Sequence, residues 1–344
     1  MFSQGRVEDN GLSPRPDATY TDWPNRQQDS PARASQANIV TPTPSFSLAF
    51  DPRHGEPVAV ADGVLRVTAD NPSAFTFHGT NSYIVGSQTL AVIDPGPESE
   101  QHLAALVSTI GGRPVSHIFV THTHADHSPL ARRLRDETGA QIVGAAAHHP
   151  ARELHIGEVN PLDAAADRAH EPDRVLGHGD IVDGDGWQIE TIATPGHTAN
   201  HLAFALSDTG LVFTGDHVMG WATSIVAPPD GAMTDYMASL DTMAARAGTD
   251  RRYLPGHGGT VDNPIAFVRG LKTHRKMRER AILERVRAGD AAIPAMVASI
   301  YRDTDPRLHG AAGLSVLAHL EDMVARGLVE TDGPPAINGR FRPA

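Results

Sequence analysis

The segment Thr121-His-Thr-His-Ala-Asp-His127 places four ligand-type side chains, His122, His124, Asp126 and His127, within six residues. It follows an apolar run, Val115–Val120, that reads as a strand, and it precedes a helical stretch. In extended backbone, residues two apart point the same way, so His122 and His124 share a side. Asp126 and His127 then fall on the turn into the helix. Four such groups this close must converge on something or stay exposed. Imidazole and carboxylate at this density suit zinc or a similar divalent cation.

Three later positions extend the set. His197 lies in Thr194-Pro-Gly-His-Thr198, Asp216 in Thr214-Gly-Asp216, and His257 in Pro255-Gly-His257. Each stands straight after a strand-like run, with Gly immediately before it. Glycine lets the backbone approach a site closely and take unusual dihedrals. Strand ends are where an open αβ sheet presents its site. One such histidine alone would read as an ordinary core or surface residue; four strand-end positions in one domain point to metal.

The elements that must position these residues are legible from pattern. Val58–Val67, Ser82–Val85, Thr89–Ile93, Val115–Val120, Gln141–Val143, Trp187–Ala193, His201–Leu206, Leu211–Thr214 and Tyr253–Leu254 read as strands. Glu98–Ile110, Ser128–Thr138 and Thr234–Ala247 read as helices, the first with Leu103, Leu106, Val107 and Ile110 on one face. Strands interspersed with helices predict a layered α+β domain over residues 46–263. After Asn263, three helices and a β ending suggest a winged-helix-like module over 264–344, its third helix bracketed by Gly313 and Gly327 and a wing strand at Ile337–Phe341. Residues 1–45, rich in Pro, Ser, Gln and Asn, read as a disordered tail.

Composition narrows the classes. Of 344 residues, 19 are His and none is Cys, which excludes disulfides, thiolate metal sites and a thiol nucleophile. No apolar run reaches the roughly 18 residues of a membrane span, and none has the form of a signal peptide, so a cytoplasmic location is expected. The formal charge of −12 disfavours general nucleic-acid binding. One stretch departs from it: 264–287 reads as a helix with eight Lys or Arg against two Glu, able to follow a phosphate backbone or simply to be solvated.

The ordered motifs resemble the metallo-β-lactamase superfamily. His122-x-His124-x-Asp126-His127 matches its signature, and His197, Asp216 and His257 match its later ligand positions in order. The resemblance implies a four-layer αββα sandwich with the metals at one edge. It implies two Zn2+, with Mn2+ or Fe as alternatives: His122, His124 and His197 on one, Asp126, His127 and His257 on the other, and Asp216 bridging. A bridging hydroxide would attack an ester, thioester or phosphodiester, and Asp126 would also move a proton.

Gly79-Thr-Asn-Ser-Tyr-Ile-Val-Gly86, Asp94-Pro-Gly-Pro97, Asp235-Tyr-Met237 and His274-Arg275 further resemble the lactamase-beta-2-like subgroup, best known for a mitochondrial single-strand endoribonuclease. The expected substrate is therefore a small ester or thioester, as in glyoxalase II-like thioesterases and lactonases, or single-stranded RNA. A homodimer and a non-catalytic regulatory module are further readings. His201, four residues after His197, is a candidate neighbour of the site, and Trp221 a candidate cleft wall or packing residue. His217 should face away from the cleft. The histidines of the 148–178 stretch read as solvated, and Asn81 and Tyr83 as supports of the first sheet.

Overall fold

The structure is a computed structural model that describes residues 43–344. The expected tail lies outside the described residues, except for 43–45.

Seven strands form the first sheet: β1 (Val58–Ala61), β2 (Val64–Thr68), β3 (Asn81–Val85), β4 (Leu90–Ile93), β5 (Val115–Val120), β6 (Gln141–Gly144) and β7 (Arg174–Val175). They lie in sequence order, antiparallel from β1 to β4 and parallel from β4 to β7. Helices α1 (Glu100–Ile110) and α2 (Leu130–Thr138) make the first two of the three parallel crossovers. The second sheet is β8 (Ile181–Gly184), β9 (Trp187–Ala193), β10 (Leu202–Leu206), β11 (Leu211–Gly215) and β12 (Arg252–Pro255). It is antiparallel except for β11 and β12, which α3 (Met233–Ala245) joins in parallel.

Alternation along the strands builds three apolar layers. Tyr83, Val85, Phe119 and Val143 of the first sheet meet Ile189, Leu202, Phe204 and Phe213 of the second. Ile84, Val92 and Ile118 point the opposite way, onto Leu103 and Leu106 of α1 and Leu130 and Leu134 of α2. Ile192, Ala203 and Val212 face outward onto Tyr236 and Leu240 of α3. The result is four layers, helix–sheet–sheet–helix, as expected.

Helix α4 (Pro264–Arg287) serves two cores. Val268 and Leu271 complete the outer helical layer beside α3. Ile282 and Val286 instead pack on α5 (Ile293–Ile300), α6 (His309–Ala325), and the hairpin of β13 (Val329–Thr331) and β14 (Phe341–Pro343).

Several details differ from expectation. Val58–Val67 is a hairpin turning at Asp62-Gly63. β8 carried no clear signal because it is four residues long with a single ladder partner, β9. Helix α6 begins at His309, so Gly313 is buried inside it rather than at its start. The wing strand sits at Phe341–Pro343, not Ile337–Phe341, with its register set by pairing to β13. Val107 is exposed, because α1 buries only the narrower stripe His102, Leu103, Leu106 and Ile110. In the 148–178 stretch, His170 and the His148 side chain are buried rather than solvated.

His102 provides a test of the packing. Its Nε2 lies 2.8 Å from Ser82 Oγ on β3, and burial pushes its pKa down to about 4. The unfolded chain, at about 6.5, binds the proton more tightly. This contribution is therefore complete above pH 6.5 and is lost as the pH falls toward 4. Urea unfolding at pH 7 and pH 4 should show wild type losing roughly 3 kcal/mol more than His102→Gln. Equal losses would contradict this account.

Candidate metal centre

The site forms where strand ends from both sheets meet. Asp94 follows β4, and its carboxylate organises the neighbouring loop after β5. Its Oδ1 accepts the Thr121 amide at 2.8 Å. Its Oδ2 accepts the Thr121 hydroxyl at 2.7 Å and His127 Nδ1 at 2.9 Å. The Thr121 carbonyl accepts the Leu202 amide of β10 at 2.8 Å, which ties the second sheet to the same loop.

All seven expected ligands converge. His124 Nδ1 lies 3.1 Å from His122 Nε2 and 3.0 Å from His197 Nε2. His127 Nε2 lies 3.3 Å from His257 Nε2, and Asp126 Oδ2 lies 3.4 and 3.2 Å from these two atoms. Asp216 stands between the groups: its carboxylate is 3.5 Å from His127, 3.3 Å from His257 and 3.7 Å from His197. The ligand atoms of His122, His124 and His197 lie within 4.8 Å of one another, as do those of Asp126, His127 and His257.

The outer partners settle which way the lone pairs point. A carbonyl only accepts, so His197 Nδ1 must donate to Ile225 O at 2.6 Å and His257 Nδ1 to Gly79 O at 3.1 Å. His127 Nδ1 donates to Asp94 in the same way. The Thr121 hydroxyl spends its proton on Asp94, so it accepts from His122 Nδ1 at 3.0 Å. In the neutral rings, all four Nε2 atoms therefore carry lone pairs aimed inward. His127 and His257 bring their Nε2 atoms within 3.3 Å of each other and beside the Asp126 and Asp216 carboxylates, so a proton or a metal cation has to sit among them. The donor set fits divalent metal on this ground and on its chemistry.

Electrostatics separates the two halves. Burial, then the neighbouring His127 and His124, pushes His122 well below the ordinary imidazole range. Burial and His197 take His124 down to about 3. On the other side burial opposes protonation, but Asp216 and Asp126 outweigh it and lift His257 to about 9. Asp126 and Asp216 stay below the usual carboxylate range despite burial, because His127 and His257 face them.

Glycine makes the approach possible. A Cβ on Gly256 would lie 2.6 Å from Asp216 Oδ1 and from His127 Cε1. Gly196, at φ +139°, would place a Cβ 2.4 Å from the Tyr236 Cα.

His201 lies beside the cluster and points no lone pair into it. Its Nε2 accepts the Asp216 amide at 3.1 Å, its Nδ1 bonds Thr194 Oγ1 at 2.8 Å, and its ring stacks on His122. Trp221 stacks flat on Phe77, 4.7 Å between centroids, against Gly258 in the loop after His257. His217 turns its ring toward Tyr236, away from the ligands. Asn81 and Tyr83 do more than support β3: Asn81 Nδ2 donates to the carbonyls of Pro255 and Gly258, and Tyr83 Oη to that of Pro255. They clamp the His257 loop to the first sheet.

Sequence reasoning passed over Asp94 as a turn residue and did not single out Thr80, whose hydroxyl donates to Asp126 at 3.1 Å. The available signal for Asp94 was the same one that exposed Asp216, a lone carboxylate straight after an apolar strand.

Sequence comparison agrees with this geometry. The family model of the metallo-beta-lactamase superfamily matches residues 75–257. The chain belongs to this superfamily. The beta-lactamase associated winged helix domain matches residues 292–335. Among superfamily relatives, the beta-lactamase-like protein 2 homolog of Caenorhabditis elegans is 29% identical over 284 residues, covering 80% of this chain and 90% of its own. An atrochrysone carboxyl ACP thioesterase of Aspergillus chevalieri is 30% identical over 233 residues, covering 65% and 66%. The crystal structure of a beta-lactamase domain protein from Burkholderia ambifaria shares the fold, with TM-score 0.70 and 20% identity over 87% of this chain and 97% of that one. The lactamase-beta-2-like assignment stands with the Caenorhabditis elegans homologue and its Drosophila melanogaster counterpart.

Replacing Asp94 by Ala leaves His127 Nδ1, Thr121 N and Thr121 Oγ1 without their buried acceptor. Urea unfolding of the metal-free protein should show a loss of about 3 kcal/mol. A loss below about 0.5 kcal/mol, the scale of an ordinary surface change, would mean that Asp94 does not organise the loop.

Proposed function

We propose that this superfamily hydrolase holds two divalent cations, zinc foremost, and cleaves a small-molecule thioester or ester. His122, His124 and His197 would hold one cation, Asp126, His127 and His257 the other, with Asp216 shared. The observation that carries this reading is the convergence of imidazole and carboxylate atoms into adjoining groups of three, each within 4.8 Å. When bound, such a pair of cations acidifies water and stabilises negative charge developing on an acyl oxygen.

The chain's own residues do the rest. The Asp126 side chain is 25% exposed, against 9% for Asp216 and 1% for His257, so it faces the solvent side of the cluster. It is ionised at neutral pH, with Thr80 Oγ1 donating to the Oδ2 that faces His127 and His257. Asp126 accepts the proton of the attacking water and returns it to the leaving thiolate or alkoxide. His201 and Asp94 keep their neighbours oriented throughout.

An acyl substrate is favoured over RNA by the state of α4. Arg275 is buried, and Lys272, Arg280 and Arg285 pair with Asp241, Glu284 and Asp290. Arg278 lies over the Tyr301 ring. Five of the eight basic side chains are thus engaged, which leaves Arg269, Lys276 and Arg287 exposed to a phosphate backbone. The relative named as a thioesterase points the same way.

The absence of cysteine makes the test clean, because a thiol reagent reads only released product. Zinc-loaded protein should contain about two metals per chain and release thiol from a panel of acyl thioesters. Chelation should abolish release, zinc should restore it, and Asp126→Asn should lower kcat by about 10²–10⁴-fold. A metal content near zero would overturn the metal half of the proposal. Metal-dependent cleavage of single-stranded RNA without thioester turnover would overturn the substrate half.

A further inference from the structure

Two motifs from the sequence, Asp235-Tyr-Met237 and His274-Arg275, have no part in the metal cluster itself. They meet behind it. We propose that Arg275 is a positioning residue: from α4 it anchors the segment Ser224-Ile225, which in turn holds His197 and Asp216 in register. This inference rests on the metal-binding reading above.

The contacts run without a gap. The Arg275 guanidinium donates to the Ser224 carbonyl. The Ser224 hydroxyl donates to the Asp216 carbonyl at 2.5 Å and lies 2.8 Å from the His217 carbonyl. The next carbonyl, Ile225 O, accepts from His197 Nδ1 at 2.6 Å. Two consecutive residues therefore grip two ligands that belong to different strands, His197 after β9 and Asp216 after β11. The segment lies outside every strand and helix, so no ladder fixes its place.

Tyr236 completes the clamp from α3. Its hydroxyl donates to the His217 carbonyl at 3.0 Å, and its backbone packs on Gly196, the residue before His197. The guanidinium carbon of Arg275 lies 4.9 Å from the Tyr236 ring centre.

The energetics argues for a role beyond packing. Arg275 is 3% exposed, makes no ion pair among the described residues, and its Nε finds no acceptor there. Burying a cation without a counter-charge opposes folding, and an apolar side chain of similar volume is often neutral or stabilising at such positions. What the guanidinium supplies, and a methionine would not, is a charged donor aimed at the Ser224 carbonyl.

The test compares wild type with Arg275→Met, Arg275→Lys and Ser224→Ala. Zinc affinity is read by chelator competition, cobalt substitution by its visible spectrum, and the metal-free Tm separately. Arg275→Met should bind zinc about 10–100-fold more weakly with a shifted cobalt spectrum, the range seen when an outer partner of a ligand is lost. Its metal-free Tm should not fall, which separates positioning from simple structural support. Arg275→Lys should recover part of the affinity. Ser224→Ala should weaken zinc by a similar factor, and the double variant Arg275→Met/Ser224→Ala should be no weaker than either alone.

Zinc affinity within twofold of wild type in both single variants overturns the proposal. So does a loss in Arg275→Met that tracks a fall in metal-free Tm while Ser224→Ala behaves as wild type. If Arg275→Met does not fold, Ser224→Ala decides by the same affinity criterion. Wild type binding no zinc would instead sink the metal reading itself, and that arm is measured first.

Discussion

Lone pairs held together in a buried cleft repel one another, and the architecture of this protein answers that repulsion. Four of the five inward-facing imidazoles are gripped by their other nitrogen: His127 by Asp94, His122 by Thr121, His197 by Ile225 and His257 by Gly79. These outer bonds set both the tautomer and the ring direction, so the cluster stays ready for a cation. Two of the four acceptors are backbone carbonyls, which cannot be altered by changing a side chain at their own positions. The arrangement therefore depends on the paths of loops as much as on the identities of residues.

Those loop paths are fixed by the two sheets together. Thr121 accepts the Leu202 amide, and Asn81 and Tyr83 of β3 hold the loop after β12. Each sheet thus anchors ligand-bearing backbone from the other. The apolar layer between them, with Phe119, Phe204 and Phe213 at its centre, supplies the driving force for bringing the strand ends together. The outer helices add a third set of anchors through Tyr236 and Arg275.

Helix α4 shows how a sequence feature can carry one meaning in composition and another in place. Its eight basic residues form a run in the sequence, but a helix distributes them around its axis and the fold then gives them different surroundings. Arg275 goes inward, three others meet carboxylates, Arg278 lies over a tyrosine, and Arg269, Lys276 and Arg287 stay exposed. Charge counted along a chain is thus a poor guide to charge presented on a face.

The seven His and Asp positions that the fold brings together were legible in the sequence because each is local. A strand, a glycine and a His or Asp follow one another within a few residues, and the H-x-H-x-D-H spacing is set by the backbone itself. The strand and helix order was legible for the same reason, since apolar periodicity is a short-range signal. Asp94, Thr80, Ser224 and Arg275 were not legible in their roles. Their partners lie 33, 46, 8 and 51 residues away, and several of those partners are carbonyls that no residue type announces. The short edge strand β8, the earlier start of α6 and the place of the wing strand were likewise decided by partners distant in sequence. The sequence by itself thus determined which atoms are able to bind. The tertiary structure decided which way those atoms point, because direction comes from hydrogen bonds that exist only once the sheets have packed.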